Sequence, residues 1–274
     1  MNVVLIAMMA TLSMQVGYFM WKLSASTQPR FGSTSAGVAV LGLLRDWRWL
    51  TGLAATVAGW LLFIKATAIG DISLVQPLMT VGDVFLILMA VVFLHERLST
   101  YEWFGIVLTV FGAACLAADA STSAAATANA GRLGALMALA AAAAAGLLRA
   151  AKHGARAELS LALTVGLAFG CGATLTKALT TRALASGTVN LNWTIVLDPL
   201  LAAIVGANAI GLILLQVAFQ RGRVAIIVPI QLAVTNCVAV AGGMLVFMEQ
   251  VSPLRWFGIG VILAGTAVLH QGKA

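Results

Sequence analysis

The sequence predicts an all-α polytopic membrane protein of about nine transmembrane helices, arranged as two inverted repeats. Three observations carry that prediction. Of the 274 residues, 61% are hydrophobic and only 9% charged, against about 25% charged in a soluble domain, so a water-facing surface cannot be covered. Apolar runs near the ~20 residues that cross a hydrocarbon core follow one another from end to end, leaving no length for a separate soluble domain. And an ordered set of landmark residues recurs 152 to 155 positions downstream.

In order, the runs fall at about 2–23, 49–69, 73–94, 102–118, 133–149, 159–182, 196–219, 224–247 and 254–271. The first lacks a basic n-region and an Ala-x-Ala-like cleavage site, so it reads as a span rather than a signal peptide. Gly32 to Leu44, followed by Arg45, Asp46, Trp47 and Arg48, reads either as a short interfacial helix or as a loop. The run from Leu133 to Leu148 is mostly alanine; being weakly apolar, it is expected inside the bundle, where small residues let backbones approach. These runs group as residues 1–118 (first repeat), 119–158 (linker and fifth helix) and 159–274 (second repeat).

The repeat is visible residue by residue. Gly59, Gly70 and Pro77 are matched by Gly211, Gly222 and Pro229; Glu96, Ser99, Trp103, Phe104, Gly105 and Gly112 by Glu249, Ser252, Trp256, Phe257, Gly258 and Gly265; Gly17 and Lys22 by Gly172 and Lys177. The displacement is five helices, an odd number, so the second unit crosses in the opposite direction. Inverted repeats are a signature of secondary transporters.

Orientation follows from the basic residues. With the N-terminus outside, inner segments hold Lys22, Arg30, Arg45, Arg48, Arg97, Arg149, Lys152, Arg156, Arg221, Arg223 and Lys273, and outer ones hold Arg132, Arg182 and Arg255. Adding Lys65 and Lys177 to the outer set still leaves a strong bias, so the positive-inside rule predicts N-out and C-in. The expected location is the plasma (bacterial inner) membrane. The net charge of +7 serves orientation in short loops, so no nucleic-acid partner is expected.

The block VQPLMTVGDVFLILMAVVFLHERLSTYEWFGIVLTVFGAACL and its second copy, VPIQLAVTNCVAVAGGMLVFMEQVSPLRWFGIGVILAGTAVL, resemble the repeated unit of EamA-type drug/metabolite transporters. In that unit a proline-containing helix, a Glu-Arg-Leu-Ser turn and a glycine-containing helix follow one another. Nine helices with an N-out start look more like the NIPA-like branch, whose characterised members are linked to magnesium transport. The resemblance implies transport and leaves the cargo open.

Several residues are candidates for the transport site. Asp83 lies mid-run in the third span, where an ionised carboxylate costs at least about 2.5–3.5 kcal/mol; it is expected to bind a cation or exchange a proton, or else to be held by Asn236 or a threonine. Asn236 is its repeat counterpart. Pro77 and Pro229, beside Gln76 and Gln231, each free a helix carbonyl that a cargo can use, or simply kink the chain. Gln15, with Ser13, Tyr18, Asn208, Gln216 and Gln220, adds polarity that lines a pore or bonds between helices. Lys22 and Lys177 end the first and sixth spans; snorkelling to headgroups is the plainer explanation, although relatives with phosphorylated cargo use intramembrane lysines. Glu96 and Glu249 open the turns ahead of Ser99 and Ser252, which suit helix capping, and Gly105 and Gly258 suit close packing. Any metal would fall to Asp83.

No catalytic arrangement appears among His95, His153 and His270, and no Gly-rich phosphate loop ending in Lys-Ser/Thr occurs, so neither an enzyme nor ATP hydrolysis is expected. Cys115, Cys171 and Cys237 lie inside apolar runs at no metal-like spacing, so neither a disulfide nor a cofactor is expected. Three functions fit: a gradient-driven carrier of a small polar metabolite, ranked first; a magnesium or other divalent-cation transporter; and a non-transporting membrane partner subunit. Expected partners are a small-molecule or ion substrate and lipid, with a homodimer left open.

Overall fold

A computed structural model describes residues 2–25, 45–94, 99–119, 128–152, 157–185, 197–221 and 224–271. Gly32–Leu44, Glu96 and Gly222 lie outside the described residues, as do the side chains of Lys22, Asp83, Gln216, Gln220 and Pro229. Among the described residues the chain forms ten helices and no strand: α1 (Val3–Ala25), α2 (Trp47–Ile69), α3 (Ile72–Thr80), α4 (Gly82–Leu94), α5 (Thr100–Ala118), α6 (Ala130–Lys152), α7 (Ala157–Ala185), α8 (Pro199–Arg221), α9 (Val224–Val246) and α10 (Pro253–Gln271). Helices alone suit such apolar segments, because each satisfies its backbone polar groups internally.

Among the described residues, four stretches are long and apolar enough to cross a membrane: Val3–Met20, Trp47–Ile69, Ala130–Arg149 and Ala157–Ala183. Shorter apolar stretches occupy α5, α8, α9 and α10. The outer surface is correspondingly greasy, with Leu5, Leu12, Val107, Phe111, Leu212, Ile213 and Phe257 all exposed. Water would not tolerate so continuous an apolar exterior. The protein is an integral, multi-pass membrane protein.

The helices pair tightly. α1 lies along α2, α7 along both α8 and α9, α5 along α10, and α3 against α9. The α5–α10 crossing is built on glycine: a Cβ on Gly112 would sit 2.8 Å from the Gly258 carbonyl oxygen and 2.9 Å from Ile262 N, and one on Gly265 would sit 2.9 Å from the Gly105 carbonyl oxygen and 2.7 Å from Thr109 N. Higher numbers on one helix thus meet lower numbers on the other, so the pair is antiparallel. The contacts are also reciprocal, since Gly105, Thr109 and Gly112 stand in sequence to Gly258, Ile262 and Gly265 at one displacement. A similar correspondence joins α1–α2 to α7–α8. Gly59 of α2 abuts Met14 of α1, and Gly211 of α8 abuts Phe169 of α7.

Two expectations are corrected. The third span is not one helix: it is interrupted at Val81, four residues beyond Pro77, where Val81 N bonds Leu78 O at 3.2 Å and Val84 N bonds Val81 O at 3.0 Å. The alanine-rich helix α6 is not inside the bundle. Only 11% of its spanning stretch is buried, and no atom of the described residues lies within 4 Å of the Cβ positions of Gly134 and Gly146. An alanine helix satisfies its own backbone, so it can face lipid without neighbours.

Candidate transport site

The interruption in the third span is shaped by α1. A Cβ on Gly82 would fall 2.0 Å from Thr11 Oγ1 and 2.7 Å from Gln15 Nε2, so those side chains press directly onto the break. Thr11 Oγ1 donates to Met79 O at 2.8 Å, and Thr80 Oγ1 donates to Pro77 O. The carbonyls loosened where the helix ends are therefore taken up by hydroxyls. Asp83 follows Gly82 in the first turn of α4. Gln76, partly buried, lies beside Pro77 within α3.

A similar contact joins α7 to α9. Gly166 abuts Gln231 O and Val234, and Gly170 abuts Thr235 O and Val238; Thr235 Oγ1 donates to Gly166 O at 3.3 Å. Asn236 is fully buried and donates its Nδ2 to Leu232 O at 2.9 Å, which fixes which end of its amide is oxygen.

Among the described residues, three buried side-chain oxygens here have no hydrogen-bond partner: Gln15 Oε1, Gln231 Oε1 and Asn236 Oδ1. An unsatisfied buried acceptor costs about 1–3 kcal/mol, and native proteins keep few of them. All three belong to residues singled out in the sequence. Gln15 is brought against Gly82, next to Asp83, and Gln231 and Asn236 share α9; no hydrogen bond joins Gln15 to either of the other two.

A second polar cluster lies at the end of the bundle where α9 gives way to α10, and most of it was not foreseen. Asp71 and Arg255 are 3% and 1% exposed, and Arg255 Nη1 reaches Asp71 Oδ2 at 3.0 Å and Ser73 Oγ at 3.1 Å. Arg255 Nη2 donates to Asp119 O at 3.3 Å, and Ser252 Oγ donates to the Asp119 carboxylate. Asp71 begins α3 but makes no side-chain cap. Glu249 caps it from the far side of the sequence, accepting from Ile72 N at 2.8 Å and Ser73 N at 3.0 Å. A carboxylate suits these amides because the first N–H groups of a helix lack internal partners. Gly243 makes room for it, since a Cβ there would lie 2.3 Å from Glu249 Oε2. Met248, with φ at 57°, turns the chain sharply just before it. Burial, and then the negative charge of Asp71, hold the Glu249 carboxyl above its usual range despite the opposing amide bonds.

Lys177 completes this cluster. It does not snorkel: its Nζ donates to Thr67 O at 2.7 Å, in the last turn of α2, and to the carbonyl of Gly70, the residue that caps that helix. Ser252 takes its capping place, with Arg255 N donating to its Oγ at 3.1 Å. The missed residues carried one legible signal. Asp71 sits in a two-residue junction between apolar helices, too short to let a carboxylate reach water.

The family model described as magnesium transporter NIPA matches residues 1–137, half of the chain. A protein from a Sinorhizobium species, named as an uncharacterized transporter in the cobO 3' region, is 37% identical over 75 residues, 27% of this chain and 52% of that protein. The match thus spans about half of that relative's length. No solved structure matches. The chain belongs to the magnesium transporter NIPA family.

Proposed function

We propose that the chain is a gradient-driven, alternating-access transporter of a hydrated divalent cation, magnesium foremost, with its site around Asp83, Gln15, Gln231 and Asn236. The observation that carries this reading is the kind of atom left unpartnered along the spans. Gln15 Oε1, Gln231 Oε1 and Asn236 Oδ1 are all acceptors, so the missing partner is a donor or a cation. Magnesium keeps several of its waters and binds through one or two carboxylates. Those waters donate to amide oxygens, while Asp83 supplies the charge. An anion offers such oxygens nothing.

The family membership points the same way. The reciprocal α5–α10 crossing and the matched α1–α2 and α7–α8 contacts support two inverted units, 1–118 and 159–274, whose exchange of conformations would alternate access. The charge bias supports an N-out, C-in orientation in the plasma (bacterial inner) membrane. Partners for the outer basic residues fit this orientation. Arg255 pairs with Asp71, Arg182 with Asp198, and Arg132 donates to Leu245 O.

One observation favours a second reading, a small metabolite bearing a protonated amine. Among the described residues no group of three or more His, Cys, Asp or Glu gathers, and an ammonium would satisfy the same acceptors. Proteoliposome flux separates the two. The cation reading predicts magnesium entry driven by its own gradient and abolished by Asp83→Asn. Magnesium-independent exchange of amines, with no magnesium flux, would replace it.

A further inference from the structure

We propose that Lys177, Glu249 and Arg255 form a latch that closes the bundle at the α2–α3 junction and lets go during the transport cycle. All three side chains come from the second half of the chain and all grip the first. Lys177 holds the carbonyls of Thr67 at the end of α2 and of Gly70, its C-cap. Glu249 holds the opening amides of α3 at Ile72 and Ser73, and Arg255 holds Asp71 and Ser73 between them. A seven-residue stretch, Thr67 to Ser73, is thereby clamped from both sides with matched charge: a cation on helix C-terminal carbonyls, a carboxylate on helix N-terminal amides.

The chemistry of the grip suits release. Lys177 and Glu249 hold backbone groups at helix ends, which water can satisfy in their place once the junction parts. The charges would likewise hydrate at a bundle end, so opening here does not strand an ion in lipid. Directly beneath, Leu74, Val75 and Leu78 of α3 are fully buried in one apolar cluster with Ala239, Val240 and Val246 of α9. That seam would open with the latch. Gly243 and the left-handed Met248 position Glu249 for this contact, which a merely solvated loop carboxylate would not require. The inference concerns closure and holds whichever cargo is carried.

The test uses the full chain in lipid nanodiscs, with Cys115, Cys171 and Cys237 replaced by alanine and one reporter cysteine introduced at Val75→Cys. A second reporter, Ile227→Cys, lies in a separate buried cluster near the other end of α9. A water-soluble maleimide is the probe. Lys177→Met should accelerate labelling at Val75→Cys about tenfold, the shift expected when an open state gains tenfold in population, and leave Ile227→Cys no faster. The same change at exposed Lys65, Lys65→Met, should alter neither. Unchanged labelling at Val75→Cys, equal acceleration at both reporters (a loosened bundle), or equal acceleration by Lys65→Met would each overturn the latch.

Discussion

At one end of the bundle, Lys177, Glu249 and Arg255 reach across the chain to carbonyls, amides and carboxylates within about hydrogen-bonding distance. Along the spans, Gln15, Gln231 and Asn236 keep buried oxygens that find no partner among the described residues. Both regions place polar groups where apolar ones would pack more easily, yet the first ties its side chains to the protein by several hydrogen bonds, whereas the second leaves its amide oxygens without a bond among the described residues. Satisfied groups specify a conformation; buried acceptors without a donor do not. The difference separates what holds the molecule together from what it handles.

The largest expected effect comes from breaking the satisfied region. Arg255→Met takes the guanidinium away from the buried Asp71 carboxylate, and removing one partner of such a pair costs about 3–5 kcal/mol. Thermal unfolding in detergent should show a large drop, partly restored by adding Asp71→Asn. Equal losses in the single and double variants would mean that Arg255 acts through packing alone.

The unsatisfied region should respond in the opposite sense. Asn236→Leu removes a buried acceptor that has no donor, so stability should stay within about 1 kcal/mol of the parent, while flux falls about tenfold, a barrier increase near 1.4 kcal/mol. A stability loss as large as that of Arg255→Met, with flux per folded molecule unchanged, would erase the distinction between the regions.

A smaller effect sharpens the account of the bundle end. The Glu249 carboxyl is raised above its ordinary 4.5, by burial first and Asp71 second. A raised acid binds its proton more tightly folded than unfolded. Its contribution is therefore full below the unfolded value and lost as pH rises through the folded one. The melting temperature should decline as pH rises from that ordinary value through the raised one, and Glu249→Gln should flatten the decline. An identical pH profile in the variant would assign the slope to other groups.

Much of this architecture was legible in the sequence for physical reasons. Membrane spans must be continuously apolar, and close helix crossings favour glycine, so Gly105, Gly112, Gly258 and Gly265 stood out as packing positions, whereas the pairing of Gly112 with Gly258 and of Gly265 with Gly105 came only with the structure. Gln15, Gln231 and Asn236 stood out because amides inside apolar runs are costly. The break at Val81 was not legible, because it depends on Thr11 and Gln15 pressing on Gly82 from another helix. Nor was the exposure of α6, since an alanine run has no apolar face to reveal its environment. Asp71, Arg255 and the true role of Lys177 escaped because their meaning lies in tertiary partners more than 100 positions away.

A hydrated divalent cation held by Asp83 and the amide oxygens, as proposed, requires that magnesium bind the purified protein. Magnesium at a hundred times its dissociation constant should stabilise the parent by about 2.7 kcal/mol, read as a concentration-dependent rise in melting temperature. Asp83→Asn, which removes the charge at nearly constant shape, should keep the metal-free melting temperature and lose that rise. A parent that shows no magnesium-dependent shift, or an Asp83→Asn variant that shifts as the parent does, would contradict the account.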